Sequence, residues 1–253
     1  MVIKLLIISL VGFLVGIINV IAGGGSFISL PVLIFLGLDP TVANGTNRIG
    51  ILFQNISAVL GFQKSKIKPW KFSIIVLIPT LIGSIIGAYL AVIIKEELFK
   101  RLIAIFMILF VITSILYDPV KRQKVHLEDS LHFFYPSLKF FFILFLFLLI
   151  GVYGGFIQAG IGFLILSVVL YLGFNLVYGN AVKVFVVLFF TISALFIFII
   201  NGKVDFVFGF ALAIGQIIGA QIGVLISVKK GHDFIKKIVS FLLVILAIRL
   251  FLS

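Results

Sequence analysis

The chain has no cysteine, which excludes disulfides, thiolate zinc sites and cysteine-ligated iron–sulfur clusters. It is also poor in acid, with eight carboxylates in 253 residues. These are Asp39, Glu96, Glu97, Asp118, Glu128, Asp129, Asp205 and Asp233, and all of them fall in predicted loops, as do His126, His132 and His232. No predicted helix has an interior carboxylate or imidazole. That absence argues against a metal site, an intramembrane aspartyl protease and a serine–histidine protease built on Ser26. It also removes the usual buried carboxylate of a proton relay or cation carrier. No Walker-type phosphate loop is present, so ATP hydrolysis is not encoded. Charged residues make up only 11%, against about a quarter in a soluble domain.

What the chain does have is apolar length. Hydrophobic residues account for 63%, and 30 residues are phenylalanine. Several runs reach the roughly 18 residues that span a bilayer core. Short segments of alternating pattern, the mark of a β-barrel, are missing. The fold class is an all-α polytopic membrane protein. A net charge of +12 is no signal for nucleic acid, because the Lys and Arg residues sit mostly in short loops, where they set orientation. Lys4 followed by an apolar run to Ala22-Gly23 has the outline of a signal peptide, but the same segment recurs inside the chain, which favours a retained helix. The expected helices are 3–22, 27–38, 44–63, 72–94 and 98–117, then 139–158, 163–174, 180–200, 205–228 and 234–252.

Gly23-Gly24-Gly25-Ser26 and its weaker echo Gly160-Ile161-Gly162 interrupt this pattern. Each follows a membrane-length run and precedes one too short to cross. Three glycines in lipid strip a helix of propensity, and unwound backbone at that depth survives only inside protein or beside a wet cavity. Broken segments at matching positions of two halves point to a transporter site. The halves do match. Residues 82–91 and 214–223 share six of ten positions, Asn44 pairs with Asn180, and Ser57-Ala58 pairs with Ser193-Ala194. Gly83, Gly87, Gly215 and Gly219 have the small-xxx-small spacing of close helix packing.

Loop charge then orients the halves. Loop 64–71 carries Lys64, Lys66, Lys68 and Lys71 without acid, while its counterpart near 201–205 carries only Lys203 and Asp205. By the positive-inside rule the first is cytoplasmic and the second is not. The expectation is two inverted repeats of five segments, 1–117 and 139–253, joined by a cytoplasmic linker 118–138, with both termini external.

The Gly-Gly-Gly-Ser run, Pro31, the Asn-Gly-Thr-Asn block at 44–47 and the duplicated half together resemble the TauE/SafE family of sulfite exporters. The resemblance covers essentially the whole chain and is most specific over Gly16–Gly61. It implies a multi-pass carrier in the cell inner membrane, exporting small sulfur-containing anions such as sulfite or organosulfonates.

The interior cations are Arg48 and Lys183, each one turn into its expected helix and within one residue of equivalence. Asn44 and Asn47 share the Arg48 face, and Asn180 shares the Lys183 face. An anion site wants positive charge, amide donors and free backbone N–H groups, with no competing acid. The expected substrate-binding set is therefore Gly23, Gly24, Gly25, Ser26, Asn44, Asn47, Arg48, Gln158, Gly160, Gly162, Asn180 and Lys183, with no catalytic residue, metal or cofactor. Asn19, Gln54, Asn55, Gln216 and Gln221 are further polar residues on the flanking helices. The competing reading of Arg48 and Lys183 is snorkelling to the headgroups, and that of the amides is interhelical glue. The Phe140–Phe147 stretch reads as lipid-facing. The partners are a small anionic substrate and the lipid bilayer, with homo-oligomer formation left open. Other functions in play are an anion-selective channel-like pore and a membrane enzyme or assembly factor.

Overall fold

The computed structural model describes residues 2–116 and 137–229. Among them run nine α-helices: α1 (Val2–Ile21), α2 (Ser26–Phe35), α3 (Pro40–Lys64), α4 (Trp70–Ile93), α5 (Glu96–Leu116), α6 (Leu138–Phe156), α7 (Ile161–Tyr171), α8 (Leu176–Ile200) and α9 (Phe206–Lys229). Five of them, α1, α4, α6, α8 and α9, are long and apolar enough to cross a membrane, and the chain is a multi-pass membrane protein. The expected helix 234–252 and all but the last two residues of the linker lie outside the described residues.

Two helices start four residues before their expected positions. Pro40 opens α3, because a first-turn residue needs no N–H donor and proline's fixed φ suits the helix. Asn175 caps α8, its side chain accepting from Tyr178 N at 2.8 Å. Helix ends also repeat. Helices α2, α3, α7 and α8 each close on a left-handed residue: Gly37 (φ 107°), Lys66 (61°), Gly173 (88°) and Gly202 (66°). The next residue's N–H reaches back five positions in each case, as in Leu38 N to Leu33 O at 3.2 Å and Phe174 N to Val169 O at 3.3 Å. This satisfies carbonyls that a helix end would otherwise leave open.

Helices α3 and α8 pack on each other at the centre, α9 lies on α3, and α4 lies on α8. The outer contacts cross between halves, with α1 on α9 and α6 on α4. Lipid tails offer no hydrophobic force to join helices, so close backbone approach does the work. A Cβ on Gly83 or Gly87 would overlap the carbonyl oxygen of Leu148 or Val152, and one on Gly151 or Gly155 that of Thr80 or Ser84. The other pair repeats the pattern: Gly215 and Gly219 meet Ser9 and Phe13 carbonyls, while Gly12 and Gly16 meet those of Leu212 and Gln216. The small-xxx-small glycines are packing positions, as their spacing predicts. Helix α5 adds Phe99, Ile103 and Met107 to a core with Val15, Phe27, Ala88, Ile157 and Phe198. Phe141, Phe142 and Phe145 face outward, as expected. Phe147 does not; it is buried, with its ring 6.1 Å from that of Phe72.

The short helices turn back along their predecessors. Lys4 Nζ, at the start of α1, donates to Leu36 O just past the end of α2 at 3.2 Å. Val169 and Leu172, at the end of the other hairpin, cluster with Ile143 and Phe147 near its start. The α1–α2 hairpin opens toward the beginning of α3. The α6–α7 hairpin opens toward its end, where Asn175–Tyr178 and Lys66–Lys68 share a cavity. The two hairpins thus enter from opposite ends of α3. At the first of these ends a polar latch ties three segments. The Glu96 carboxylate accepts from Thr41 N at 2.9 Å, from Thr41 Oγ1 and from Lys203 Nζ at 2.9 Å.

Candidate functional site

Each hairpin turns through four residues, 22–25 and 157–160. In the first, Gly23 takes the left-handed φ of 78°, a region that costs glycine little. In the second, that place is held by Gln158 at φ 67°. A buried glutamine there is strained, and its side chain is held by Nε2 donating to Thr191 Oγ1 at 2.6 Å. Tyr153 Oη braces the same turn by donating to Ala159 O at 2.6 Å. Among the described residues, the N–H groups of Gly24, Gly25, Ser26, Ala159, Gly160 and Gly162 donate to no backbone carbonyl. The hairpin tips meet, since a Cβ on Gly23 would lie 2.5 Å from the Gly162 backbone and the reverse holds as well.

A cavity of about 20 Å³ sits at this crossing, lined by Asn19, Gly23, Ser26, Ile51, Gln54, Asn55, Gln158, Ile161, Gly162, Lys183 and Val187. Both short helices present their N-terminal ends to it, through Ser26 and through Ile161 and Gly162. Asn19 Nδ2 donates to Gln54 Oε1 at 3.0 Å. Gln158 Oε1 is buried without a partner among the described residues.

The two interior cations are enclosed, Arg48 at 0% and Lys183 at 2% exposure, so neither snorkels. Lys183 Nζ donates to Val20 O at 2.6 Å and Asn180 Oδ1 at 2.7 Å, and Asn180 Nδ2 donates to Ser227 Oγ at 2.9 Å. Arg48 Nη2 donates to Gly154 O at 3.1 Å and Gly155 O at 2.5 Å, with its guanidinium 4.6 Å from the Phe198 ring centroid. Each cation therefore sits on the carbonyl end of the hairpin helix from the opposite half, where the helix dipole is negative. Asn44 adds a fourth such bond, Nδ2 to Phe156 O at 2.8 Å. Arg48 keeps Nε and Nη1, and Asn47 keeps Nδ2, without a partner among the described residues.

Of the expected set, Gly23, Ser26, Gln158, Gly162 and Lys183 line the cavity. Asn44, Asn47, Arg48 and Asn180 lie in the hydrogen-bonded layer around it. Gly24 sits under the Phe110 ring, Gly160 under Phe27 and Phe110, and Gly25 against Val15 O and the Asn19 side chain. Asn19, Gln54 and Asn55 belong to the wall, although they were outside the expected set. Thr191 gave no signal of its own. Its equivalence to Asn55 in the repeat was the one available clue.

The arrangement offers one ammonium, several amides and uncommitted backbone N–H groups, with no carboxylate among the described residues of the cavity wall. The sequence model of the sulfite exporter TauE/SafE family matches residues 8–250. The chain belongs to the TauE/SafE family. Over 239 residues it is 29% identical to a protein named probable membrane transporter protein ORF9 of Sinorhizobium sp., covering 94% of this chain and 88% of that one. Probable membrane transporter protein YfcA of Escherichia coli K12 is 29% identical over 90% of this chain and 82% of its own. YunE of Bacillus subtilis, also named a probable membrane transporter protein, is 25% identical over 96% of both. No solved structure matches. As a TauE/SafE protein the chain is a membrane transporter. The glycine run Gly23–Gly25 is a hairpin tip rather than a gap between two consecutive crossings.

Proposed function

We propose that this TauE/SafE transporter is a secondary carrier exporting small sulfur-containing anions, such as sulfite or organosulfonates, across the inner membrane. The observation that carries this reading is the crossing of the two hairpin tips. There Lys183, amides and two helix N-termini surround one small cavity. Sulfur oxyanions suit such a wall, because they bring several acceptor oxygens and a charge that fixed N–H donors and an ammonium satisfy together. Lys183 supplies the charge at the wall. Arg48 and Asn44 hold the end of α6, Asn180 orients the Lys183 ammonium, and Arg48 and Asn47 bring unspent donors near the anion as the tips part.

The size of the cavity favours a carrier over a pore. About 20 Å³ holds one water molecule, too little for a sulfur atom with three oxygens. Substrate binding then needs the Gly23–Gly162 contact to open, and hairpins entering from opposite ends offer two ways to open it. Residues 1–117 and 139–253 fit this role as repeats of inverted topology. Uptake and efflux by proteoliposomes, screened over sulfite, sulfate, thiosulfate, taurine and sulfoacetate, tests the proposal. Saturable, anion-selective flux is expected. Flux that rises linearly with concentration would replace the carrier with a pore, and no flux of any sulfur anion would remove the substrate class.

A further inference from the structure

We infer that the lysine-bearing end of the bundle seats the headgroup of an anionic phospholipid. Helix α3 ends there at Lys64, α4 begins at Trp70 and α8 begins at Leu176. Between them lies a cavity of about 620 Å³ lined by Lys66, Ile67, Lys68, Asn175, Val177 and Tyr178, together with Leu176. Lys66 and Lys68 are exposed. Neither side chain has a hydrogen-bond or ion-pair partner among the described residues.

Charge selects the class of ligand. The described acids all gather at the other end of the bundle: Asp39 precedes α3, Glu96 bonds Thr41, Glu97 follows it, and Asp205 N donates to Thr46 Oγ1. Thr41 and Thr46 lie roughly 30 Å along α3 from Lys64, at 1.5 Å per residue. The cavity wall is thus cationic, with no acid near it among the described residues. Its lysines also differ from the matching turn at the far end, where Lys203 is neutralised by Glu96 at 2.9 Å.

Size and depth select the source. A free phosphate- or sulfite-sized ion displaces on the order of 100–150 Å³ if each heavy atom takes the share of a liquid water, a small part of this cavity. A phosphodiester with its glycerol fills far more. The wall is also two-sided. Lys66, Lys68, the Asn175 amide and the Tyr178 hydroxyl suit phosphate and headgroup oxygens, and Ile67, Leu176 and Val177 suit the first methylenes. The starts of α4 and α8, two of the membrane-length helices, place the cavity at headgroup level, where juxtamembrane lysines attract anionic lipid.

Native mass spectrometry of the full chain, released from micelles doped with phosphatidylglycerol or with phosphatidylcholine, tests this without any transport assay. Wild type should retain phosphatidylglycerol at least tenfold over phosphatidylcholine. Lys66→Gln with Lys68→Gln should weaken that retention on the order of 30-fold. Lys95→Gln with Lys100→Gln, which removes the same charge at the other end, should leave it unchanged. Equal loss in both double variants, equal retention of the two lipids, or displacement of phosphatidylglycerol by millimolar inorganic phosphate would each overturn the inference, the last by reassigning the cavity to a soluble anion.

Discussion

Lys183 and Arg48 look alike in sequence and differ in place. Lys183 lines the cavity and also holds Val20 O, so removing it takes a charge from the site and a donor from a helix end. Lys183→Ala should cut anion flux roughly ten- to a hundredfold, the worth of one charge-assisted hydrogen bond, measured in proteoliposomes at matched protein levels. Arg48→Ala removes two bonds to the α6 carbonyls. It should lower stability by about 1–3 kcal/mol for each acceptor left unmet, read as a fall in melting temperature, and should cut flux as well. Arg48→Lys should restore part of the stability, because an ammonium can still reach a carbonyl. The sequence made both cations visible as interior charge without acid. It could not show their carbonyl partners, which lie more than 100 residues away. Nor could it show that Gln158 stands in a glycine-like conformation, since backbone strain at one residue leaves no trace in composition or spacing.

At the scale of elements, the hairpins and the latch behave differently. The hairpins depend on small residues, so Gly87→Val should force α4 and α6 apart against the Val152 carbonyl. Overpacking of this kind typically costs about 1–3 kcal/mol, and a melting curve in detergent reads it. The latch depends on ionisation. Burial alone would raise the Glu96 carboxyl, but the Thr41 and Lys203 bonds outweigh it and hold the group below the ordinary glutamate value. A lowered folded value means that the stabilisation is complete above the ordinary glutamate range and disappears as the carboxyl protonates at lower pH. Wild type should therefore lose more melting temperature than Glu96→Gln when the pH is taken from 7 into the acid range. Element type was legible because apolar length and glycine breaks are strong local signals. The starts of α3 and α8 were misplaced because Pro40 and Asn175 read as loop residues, although one opens and the other caps a helix. That the short helices return along their predecessors was not legible, because length alone does not distinguish a return from a partial crossing.

For the whole molecule, opposite entry of the hairpins makes a claim about sidedness. A cysteine at Lys68 should label only from the cytoplasm and one at Asn201 only from outside, measured with an impermeant thiol reagent on cells and inverted vesicles. Labelling of both from one side would contradict the inverted arrangement. The crossed packing of α1 on α9 and α6 on α4 also bears on how the protein is made. Helix α1 is synthesised well before α9, yet the backbone that covers Gly12 and Gly16 belongs to Leu212 and Gln216. At 5–20 residues per second that partner arrives on the order of 10–40 s later. Until then the first helix must be sheltered by lipid or by the insertion machinery, with its grooved face unmatched. Neither half can complete itself, so the native transporter closes late, when its last described helix returns to the first, and two separately expressed halves should be degraded alone and rescued together.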